Sequence, residues 1–242
     1  MLKTLDKALM LLNRFTVDRP TWGVRELAAE ADLHHSEVHR VLVTFADNGF
    51  LVKDAAGRYA LGLKLFELGH IVQKTFSVDE VIEPALKRLA QESGETAFLS
   101  VLDGHDGLCI NVARSPQTLR FSIDQGQRFA LIAGSHAKAI LAFQGDAFRR
   151  EVCDRAALKD VALLERQLAQ IRADGWAATR EEAATAVAGV SVPIRSSRND
   201  AVIGSLSIAG QMHRFEEDAM PRLLGLLKTA RSTVESAVAL NR

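Results

Sequence analysis

The fold of this chain is decided by residues 26–69, which read ELAAEADLHHSEVHRVLVTFADNGFLVKDAAGRYALGLKLFELG. Two segments, residues 24–31 and about 36–48, carry apolar side chains at helical spacing. A short polar turn, Asp32–His34, separates them, and Asn48-Gly49 ends the second because both residues tolerate the left-handed backbone of helix ends. The pattern predicts two helices joined by a tight turn.

The segments on either side complete a small domain. Residues 50–53 and 58–61 have the pattern of short strands and flank a turn that ends in Gly57. Upstream, residues 5–15 repeat apolar side chains on one face of a helix. Helix, helix, turn, helix and hairpin together predict a winged helix-turn-helix in residues 1–62.

The pattern changes after the hairpin. Residues 63–77 predict a linker helix, because they repeat apolar side chains at helical spacing. Residues 78–242 alternate between strand-like and helix-like segments, which predicts an α+β domain with helices on one face of an antiparallel sheet. The expected strands are 96–102, 108–114, 118–123, 176–179, 187–194 and 201–209. The expected helices are 79–93, 135–144, 146–154, 160–174 and 215–240.

The composition excludes several classes of protein. With 48% hydrophobic and 25% charged residues, the chain is typical of a soluble globular protein. It contains no apolar run of the roughly 18 residues that a transmembrane helix needs, and its start does not have the pattern of a signal peptide. Cys109 and Cys153 are too far apart to suggest a disulfide framework or paired zinc ligands. We therefore expect a cytoplasmic protein that does not bind membranes.

Net charge gives no sign of a nucleic-acid partner. The chain has 30 Lys and Arg residues and 30 Asp and Glu residues, and residues 1–75 hold only one base more than acids. Proteins that bind nucleic acids are often basic. A hypothesis of DNA binding therefore depends on the helix-turn-helix pattern rather than on charge.

Residues 26–69 resemble the DNA-binding half of the IclR family of bacterial transcriptional regulators. Four later segments are similar to the effector-binding half of that family: GETAFLSVLDG, LIAGSHAKAILAF, IRADGWAATREEA and SVPIRSSRNDAVIGSLSIAG, which begin at residues 94, 131, 171 and 191. The resemblance implies a GAF-like effector domain, dimers formed through the N-terminal half and often a tetramer. It also implies a ligand-responsive regulator of a catabolic or transport operon, more often a repressor than an activator.

Helix periodicity turns part of the second helix of the motif toward solvent. If Val38, Leu42 and Phe45 face the core, side chains near the helix start point outward, where a recognition helix meets base edges. Arg40 can pair bidentately with guanine, and Glu37 can either accept from cytosine or repel phosphate. The candidates for DNA contact are His35, Ser36, Glu37, His39 and Arg40 of this helix and Lys53, Arg58 and Tyr59 of the wing. The alternative for each is a solvated surface residue.

The resemblance also implies an effector pocket. Carried over by position, its residues are Ser135, His136, Thr179, Val187, Gly189, Ser207 and Ala209. Backbone N–H groups at the helix start 134–136 favour an anion, so we expect a small carboxylic acid. Thr179, Gly189 and Ala209 stand where family members that bind small keto acids carry acidic, Cys and Ser residues, which suggests a roomier, less polar pocket for an aromatic or branched acid. Alternatively, His136 only caps the helix.

Two other classes of function are less well supported. An enzyme needs side chains paired for acid–base or nucleophilic chemistry, and the candidates are sequence neighbours that rarely face each other: His105 between two aspartates, and Ser135 beside His136. A metal site at His34-His35 lacks a Cys or carboxylate at ligand spacing. The second class is a winged-helix protein-interaction module without specific DNA binding. We expect no catalysis, no metal and no cofactor.

Overall fold

A computed structural model describes residues 2–75 and 78–240 and divides into two compact units, one ending at Gln73 and the other beginning at Lys74. The end of the predicted linker helix, residues 76–77, and the C-terminal residues 241–242 lie outside the described residues. Each unit has a hydrophobic core of its own.

The first unit consists of helices and a three-stranded sheet. Its helices are α1 (Lys3–Leu12), α2 (Val24–Glu30) and α3 (His35–Asp47), its strands are β1 (Thr21–Trp22), β2 (Leu51–Lys53) and β3 (Tyr59–Leu61), and α4 (Leu63–Thr75) follows. The strands are antiparallel in the order β1-β3-β2. The hairpin of β2 and β3 is confirmed, whereas β1 is too short for periodicity to predict it.

The apolar faces of α2 and α3 form the core of the first unit. Val38 and Leu42 of α3 are fully buried in one cluster with Leu27 of α2. The His34 imidazole caps α3, because its Nδ1 accepts a hydrogen bond from the backbone N–H of Ser36 at 3.4 Å. Buried on this side and capped at its start, α3 presents its other face to solvent.

The second unit is built on a six-stranded antiparallel sheet in the order β6-β5-β4-β9-β8-β7. The strands are β4 (Thr96–Asp103), β5 (Asp106–Ala113), β6 (Arg128–Ala130), β7 (Ala177–Arg180), β8 (Val187–Arg195) and β9 (Val202–Gln211). The helices are α5 (Glu83–Ser93), which follows a π-helical turn (Val78–Ile82), α6 (Ser135–Leu141), α7 (Asp146–Arg155), α8 (Val161–Asp174) and α9 (Met220–Leu240). In the described ranges, no helix combines the length and apolarity that crossing a membrane requires. The predicted α+β class is confirmed.

Helices lie against both faces of this sheet, so the predicted one-sided arrangement is wrong. Alternate residues of β8 show the two faces. Val190 and Val192 are buried in a cluster with α5 and α9, whereas Gly189 and Ser191 lie next to Ser135 at the start of α6. The face toward α6 carries the candidate ligand site.

Residues 118–123 form no strand and belong to an irregular loop between β5 and β6, so that prediction is wrong. Phe121 and Ile123 alternate with polar residues as they would in a strand, but they pack beside Phe98 as loop side chains. The strand that pairs with β5 at this edge is β6. Alternation alone does not distinguish a strand from a loop that buries every second side chain.

The last helix begins at Met220 rather than at residue 215. A 3-10 turn, Met212–Arg214, follows β9, and Phe215 packs into the core outside any helix. Pro221 suits the first turn of α9, because no helical hydrogen bond is needed from its nitrogen there. The predicted start is therefore wrong.

Ala186, in the connection between β7 and β8, has a backbone φ of 59°. An L-residue is strained in this left-handed conformation, whereas glycine is not. We expect Ala186→Gly to raise the free energy of unfolding by about 0.5–1 kcal/mol, measured by urea denaturation. Ala184→Gly is the control, because Ala184 in the same connection does not have a positive φ. A variant Ala186→Gly no more stable than Ala184→Gly would contradict the prediction.

Candidate DNA interface and ligand site

Helix α3 carries four exposed polar side chains in its first two turns: His35, Ser36, His39 and Arg40. The hydroxyl of Ser36 lies 2.8 Å from His34 Nδ1, which keeps it close to the helix start. Among the described residues, no carboxylate forms an ion pair with the Arg40 guanidinium. An arginine without a protein partner is available for the edge of a guanine or for a phosphate.

Glu37 differs from these four residues, because it is held by α1. Its Oε1 accepts a hydrogen bond from Lys7 Nζ at 2.7 Å. The carboxylate is therefore neutralised by a neighbour, and a contact with cytosine would require this ion pair to break. The pair also weakens the repulsion that Glu37 would exert on a phosphate.

Tyr59 is 1% exposed, so the prediction that it contacts DNA is wrong. Strand β3 pairs with β1 and places Tyr59 opposite Trp22, and both side chains lie in the core of the first unit. Lys53 is exposed at the end of β2, with its Nζ 5.6 Å from the centre of the Tyr59 ring. Of the two residues, only Lys53 can reach a ligand outside the domain.

Arg58 is bound within the first unit. Its Nη2 donates to the carbonyl oxygen of Thr21 at 3.0 Å and lies 3.0 Å from Glu26 Oε2. Glu26 also accepts from Arg19, and this hydrogen bond is the main reason why the pKa of the Glu26 carboxyl falls to about 2, with the Gly23 N–H and Arg58 contributing. In this structure Arg58 ties the wing to α2 rather than projecting freely.

Ion pairing divides the nine cationic side chains of residues 2–73 into two groups. Those with a carboxylate partner are Lys7, Arg14, Arg19, Arg58 and Lys64. Those without one among the described residues are Lys3, Arg25, Arg40 and Lys53. Arg25, exposed in the first turn of α2, is not predicted by the sequence, because its availability depends on which acids the other cations occupy. Residues 2–73 therefore include four cationic side chains without a carboxylate partner among the described residues, although their net charge is close to zero.

A small cavity in the second unit gathers six of the seven residues predicted for the effector pocket. The cavity is lined by Phe121, Gly134, Ser135, His136, Thr179, Ala183, Val187, Ala188, Gly189 and Ala209. Its volume of about 10 Å³ has room for one water molecule. The prediction of a roomier pocket is therefore wrong for this structure. Phe121 and Ala183, which the sequence does not predict, are two of its walls.

Ser207, the seventh predicted residue, lies behind this lining. Its Oγ is 2.8 Å from Ser191 Oγ, which in turn is 2.9 Å from Ser135 Oγ. A Cβ on Gly189 would lie 2.8 Å from Ser135 Oγ, so α6 can approach the sheet only because that side chain is absent. Ser191 is not among the predicted residues, although its position two residues after Gly189 places it on the same face of the strand.

His136 is 7% exposed and lies between two aromatic rings. Its ring centre is 5.4 Å from that of Phe98 and 4.3 Å from that of Phe129, both in edge-on geometry. Burial lowers the pKa of the imidazole to about 4, so the ring is neutral at physiological pH. The N-terminal cap of α6 is Gly134, and no side chain makes a capping hydrogen bond there. The alternative in which His136 caps the helix is therefore wrong.

The backbone N–H at the start of α6 already has an anionic partner. Gly134 N donates to Glu182 Oε2 at 3.1 Å, and the same oxygen lies 2.5 Å from Nζ of the buried Lys138. The position that the sequence predicts for a ligand carboxylate is thus occupied by a carboxylate of the chain itself. Glu182 belongs to the connection between β7 and β8, and it fastens that connection over the cavity wall that Ala183 forms.

Both halves of the chain match models of one protein family. The IclR helix-turn-helix domain matches residues 4–55, and the bacterial transcriptional regulator IclR C-terminal domain matches residues 70–236. The chain belongs to the IclR family of bacterial transcriptional regulators. It combines a helix-turn-helix DNA-binding domain with an effector-binding domain, as the sequence predicts.

Individual IclR-type proteins are similar over nearly the whole chain. The HTH-type transcriptional regulator KipR of Bacillus subtilis is 30% identical over 241 residues, which are 94% of each chain. An IclR-type regulator from Silicibacter sp. TM1040 has a TM-score of 0.87 at 22% identity, covering 98% of this chain and 96% of that one. An IclR homolog from Microbacterium hydrocarbonoxydans, solved with 4-hydroxybenzoate, has a TM-score of 0.80 at 23% identity, covering 97% and 98%. At these identities the two structures show a shared fold.

The side-chain pairs considered for catalysis do not form in this IclR-family regulator. Ser135 Oγ is bonded to Ser191, while the neighbouring His136 ring lies between phenylalanine rings. His105 Nε2 is 2.9 Å from an oxygen of Glu151, on the surface of the effector domain. Neither arrangement joins a nucleophile to a base.

The two cysteines of the regulator are buried and unpaired with each other. Burial raises the pKa of the Cys109 thiol to about 12 and also raises that of Cys153. Both are therefore protonated at neutral pH, and a protonated thiol is a poor nucleophile. Within residues 2–75 and 78–240, no group of three or more His, Cys, Asp and Glu side chains could hold a metal ion.

Proposed function

We propose that this regulator is a repressor of a catabolic or transport operon whose affinity for its operator changes when a small carboxylic acid binds. The observation that carries the proposal is the unpaired Arg40 on the exposed face of α3, in a helix-turn-helix of the IclR family. Because its DNA partner is the chromosome, we place the protein in the cytoplasm. It acts as a regulator and not as an enzyme.

The proposed DNA surface combines base contacts with phosphate contacts. Arg40, with His35, Ser36 and His39 on the same exposed face, supplies the contacts to base edges. Lys53 of the wing contacts the phosphate backbone, and we add Arg25 to this group because it too is exposed and unpaired. Glu37 and Arg58 support this surface through the ion pairs that they make inside the domain.

A second copy of the chain is the partner that we propose for the apolar surface of the first unit. Leu2, Leu5 and Leu9 are 73%, 52% and 47% exposed, and Leu63 and Phe66 of α4 are 81% and 75% exposed. An apolar surface of this extent indicates an interface, and a two-fold dimer or a tetramer built from such dimers would present α3 helices to inverted half-sites.

The domain limits proposed with this assembly are 1–62 for DNA binding, 63–77 for the linker and 78–242 for the effector domain.

The cavity at the start of α6 is the proposed effector site. Its small volume means that a ligand must displace part of the wall, and Ala183 of the connection between β7 and β8 is one part of that wall. The 4-hydroxybenzoate bound to the Microbacterium homolog is a carboxylate, which supports the same ligand class here. Ser135, His136, Thr179, Val187, Gly189, Ser207 and Ala209 are the proposed binding residues.

The test begins with selection of DNA sites from random duplexes. We expect inverted half-sites, bound about 10³-fold or more tightly than random DNA at physiological salt. Light scattering on the same sample should report a dimer or tetramer. Benzoate, 4-hydroxybenzoate or isobutyrate, whichever stabilises the protein to heat, should then change operator affinity by about 5–150-fold.

Variants separate the two halves of the proposed function. Ser135→Leu and Ser207→Leu should abolish the ligand response while leaving unliganded operator affinity nearly intact. Ser197→Leu, at an exposed position between β8 and β9, is the matched control and should respond as wild type. Equal affinity for selected and random DNA would indicate an interaction module instead. A full ligand response in both Ser135→Leu and Ser207→Leu would place the effector site elsewhere.

A further inference from the structure

We propose that His136 takes up a proton when an anionic ligand enters the cavity, so that ligand binding and the ligand response weaken as pH rises. The proposal rests on the proposed function, because it concerns the same site. It adds a second chemical input, the proton, to the regulation of operator affinity.

His136 is the one titratable side chain in the lining of this cavity, all of which lies in the described residues. The other lining side chains are aliphatic or aromatic, apart from the hydroxyls of Ser135 and Thr179. An anion that enters therefore meets no positive charge in the lining, and the nearby Lys138 is already paired with Glu182. Among the lining side chains, His136 is the one that can supply a counter-charge, by protonation.

The imidazole of His136 can accept that proton and then donate a hydrogen bond to the ligand. Its ring contacts the edges or faces of Phe98 and Phe129, and neither ring nitrogen has a hydrogen-bond partner among the described residues. The ring fits there because Gly134 has no side chain: a Cβ would lie 3.1 Å from Nδ1. A ring nitrogen without a hydrogen-bond partner, beside a cavity, is a position where a ligand atom can be bound by a hydrogen bond.

The charged groups around His136 neutralise one another. On its own helix, Lys138 is paired with Glu182 of the β7–β8 connection. From β6, Arg128 is exposed and pairs with carboxylates at the turn between β4 and β5. From β5, the Cys109 thiol is neutral. The parts of β7, β8 and β9 that line the cavity carry no titratable side chain, and β4 presents Phe98.

The consequence for ligand binding follows from the cost of burying charge. A carboxylate beside a neutral imidazole is an uncompensated buried anion, whereas beside an imidazolium it forms a charge-assisted hydrogen bond. The proton comes from solvent and binds a ring nitrogen, and no covalent bond of the ligand changes. The pKa of His136 is about 4 without ligand and rises in the complex, so affinity should fall about tenfold per pH unit between these two pKa values and then level off.

Isothermal titration calorimetry on the full chain measures this proton directly. Benzoate, 4-hydroxybenzoate and isobutyrate are the probes, each titrated in MES and in bis-Tris at about pH 6, where unliganded His136 is almost entirely neutral. The difference in heat between the two buffers should correspond to uptake of about one proton per ligand bound. Affinity for the same acid should decrease as pH is raised from about 5.5.

The variant His136→Asn keeps a polar side chain that does not titrate, and it should lose both the proton uptake and the pH dependence. His105→Asn, at the surface of the same domain, should retain both. If His136→Asn does not fold, His136→Gln is the second variant and should lose the same proton uptake, because wild-type heats count the proton without locating it.

Three results would overturn the proposal and leave the proposed function standing. They are acid binding without proton uptake, unchanged uptake in His136→Asn, and binding of benzamide or 4-hydroxybenzamide in preference to the acids. A protein that binds none of these probes, and whose operator affinity none of them changes, would contradict the proposed effector function as well.

Discussion

Replacing Arg40 with alanine should weaken binding to the selected operator by about 1–3 kcal/mol, because it removes a bidentate contact with a base. This corresponds to roughly 5–150-fold in Kd, measured by titration of labelled operator DNA. The fold of α3 should not change, since no carboxylate of the described residues pairs with the Arg40 guanidinium. Affinity for random DNA should fall much less than affinity for the operator.

Two comparisons make the Arg40 experiment specific. Arg14→Ala removes a cation of the same unit that lies 3.9 Å from Glu30, and it should change operator affinity far less. Lys53→Ala and Arg25→Ala should weaken binding to all DNA and reduce the slope of log affinity against log salt by about one each. An equal loss on operator and random DNA in Arg40→Ala would make Arg40 a phosphate contact. Unchanged affinity would exclude it from the interface.

Replacing Arg214 with alanine should lower the free energy of unfolding by about 2–4 kcal/mol, because it removes the ion-pair partner of the buried Glu95. Glu95 is 3% exposed, and its Oε2 lies so close to Gly210 that a Cβ there would be 1.9 Å away. Arg214 Nη2 donates to Oε2 at 2.9 Å. Its Nε approaches Oε1 to 2.5 Å without the alignment of a hydrogen bond. Urea denaturation of the variant and the wild type measures the loss.

The loss caused by Arg214→Ala should depend on pH. Burial raises the pKa of Glu95 even while Arg214 opposes it, so removing Arg214 raises this pKa further. A carboxyl with a raised pKa in the folded state favours folding when it is protonated. The difference in stability between variant and wild type should therefore shrink as pH falls from about 8 to about 5.

The matched control is Arg128→Ala, which breaks an ion pair at the surface. The side chains of Arg128 and its partner Asp103 are 49% and 57% exposed. Such surface pairs contribute at most about 1 kcal/mol. A loss in Arg214→Ala no larger than in Arg128→Ala, or one that does not vary with pH, would show that Glu95 is not buried as a charge.

Local periodicity was sufficient to predict the helices and the hairpin of the first unit. Val38 and Leu42 are four residues apart and must share one face of a helix, so the polar residues between them face away whatever the rest of the fold does. The same rule places Ser36 and Arg40 at the surface, where the structure has them. In the effector half, the residues of the pocket were predicted from the resemblance to the family. Six of these seven residues line one cavity.

The tertiary structure alone decided which of these side chains are available. Tyr59 is buried because β3 pairs with β1, a strand of two residues that leaves no periodic signal. Glu37 is paired with Lys7, 30 positions away, and Gly134 N with Glu182, 48 positions away. Periodicity reports the direction of a side chain from its own element, whereas burial and charge pairing depend on which distant segment lies opposite. For that reason the sequence determined the faces of the helices, and only the folded chain determined which charges on them remain unpaired.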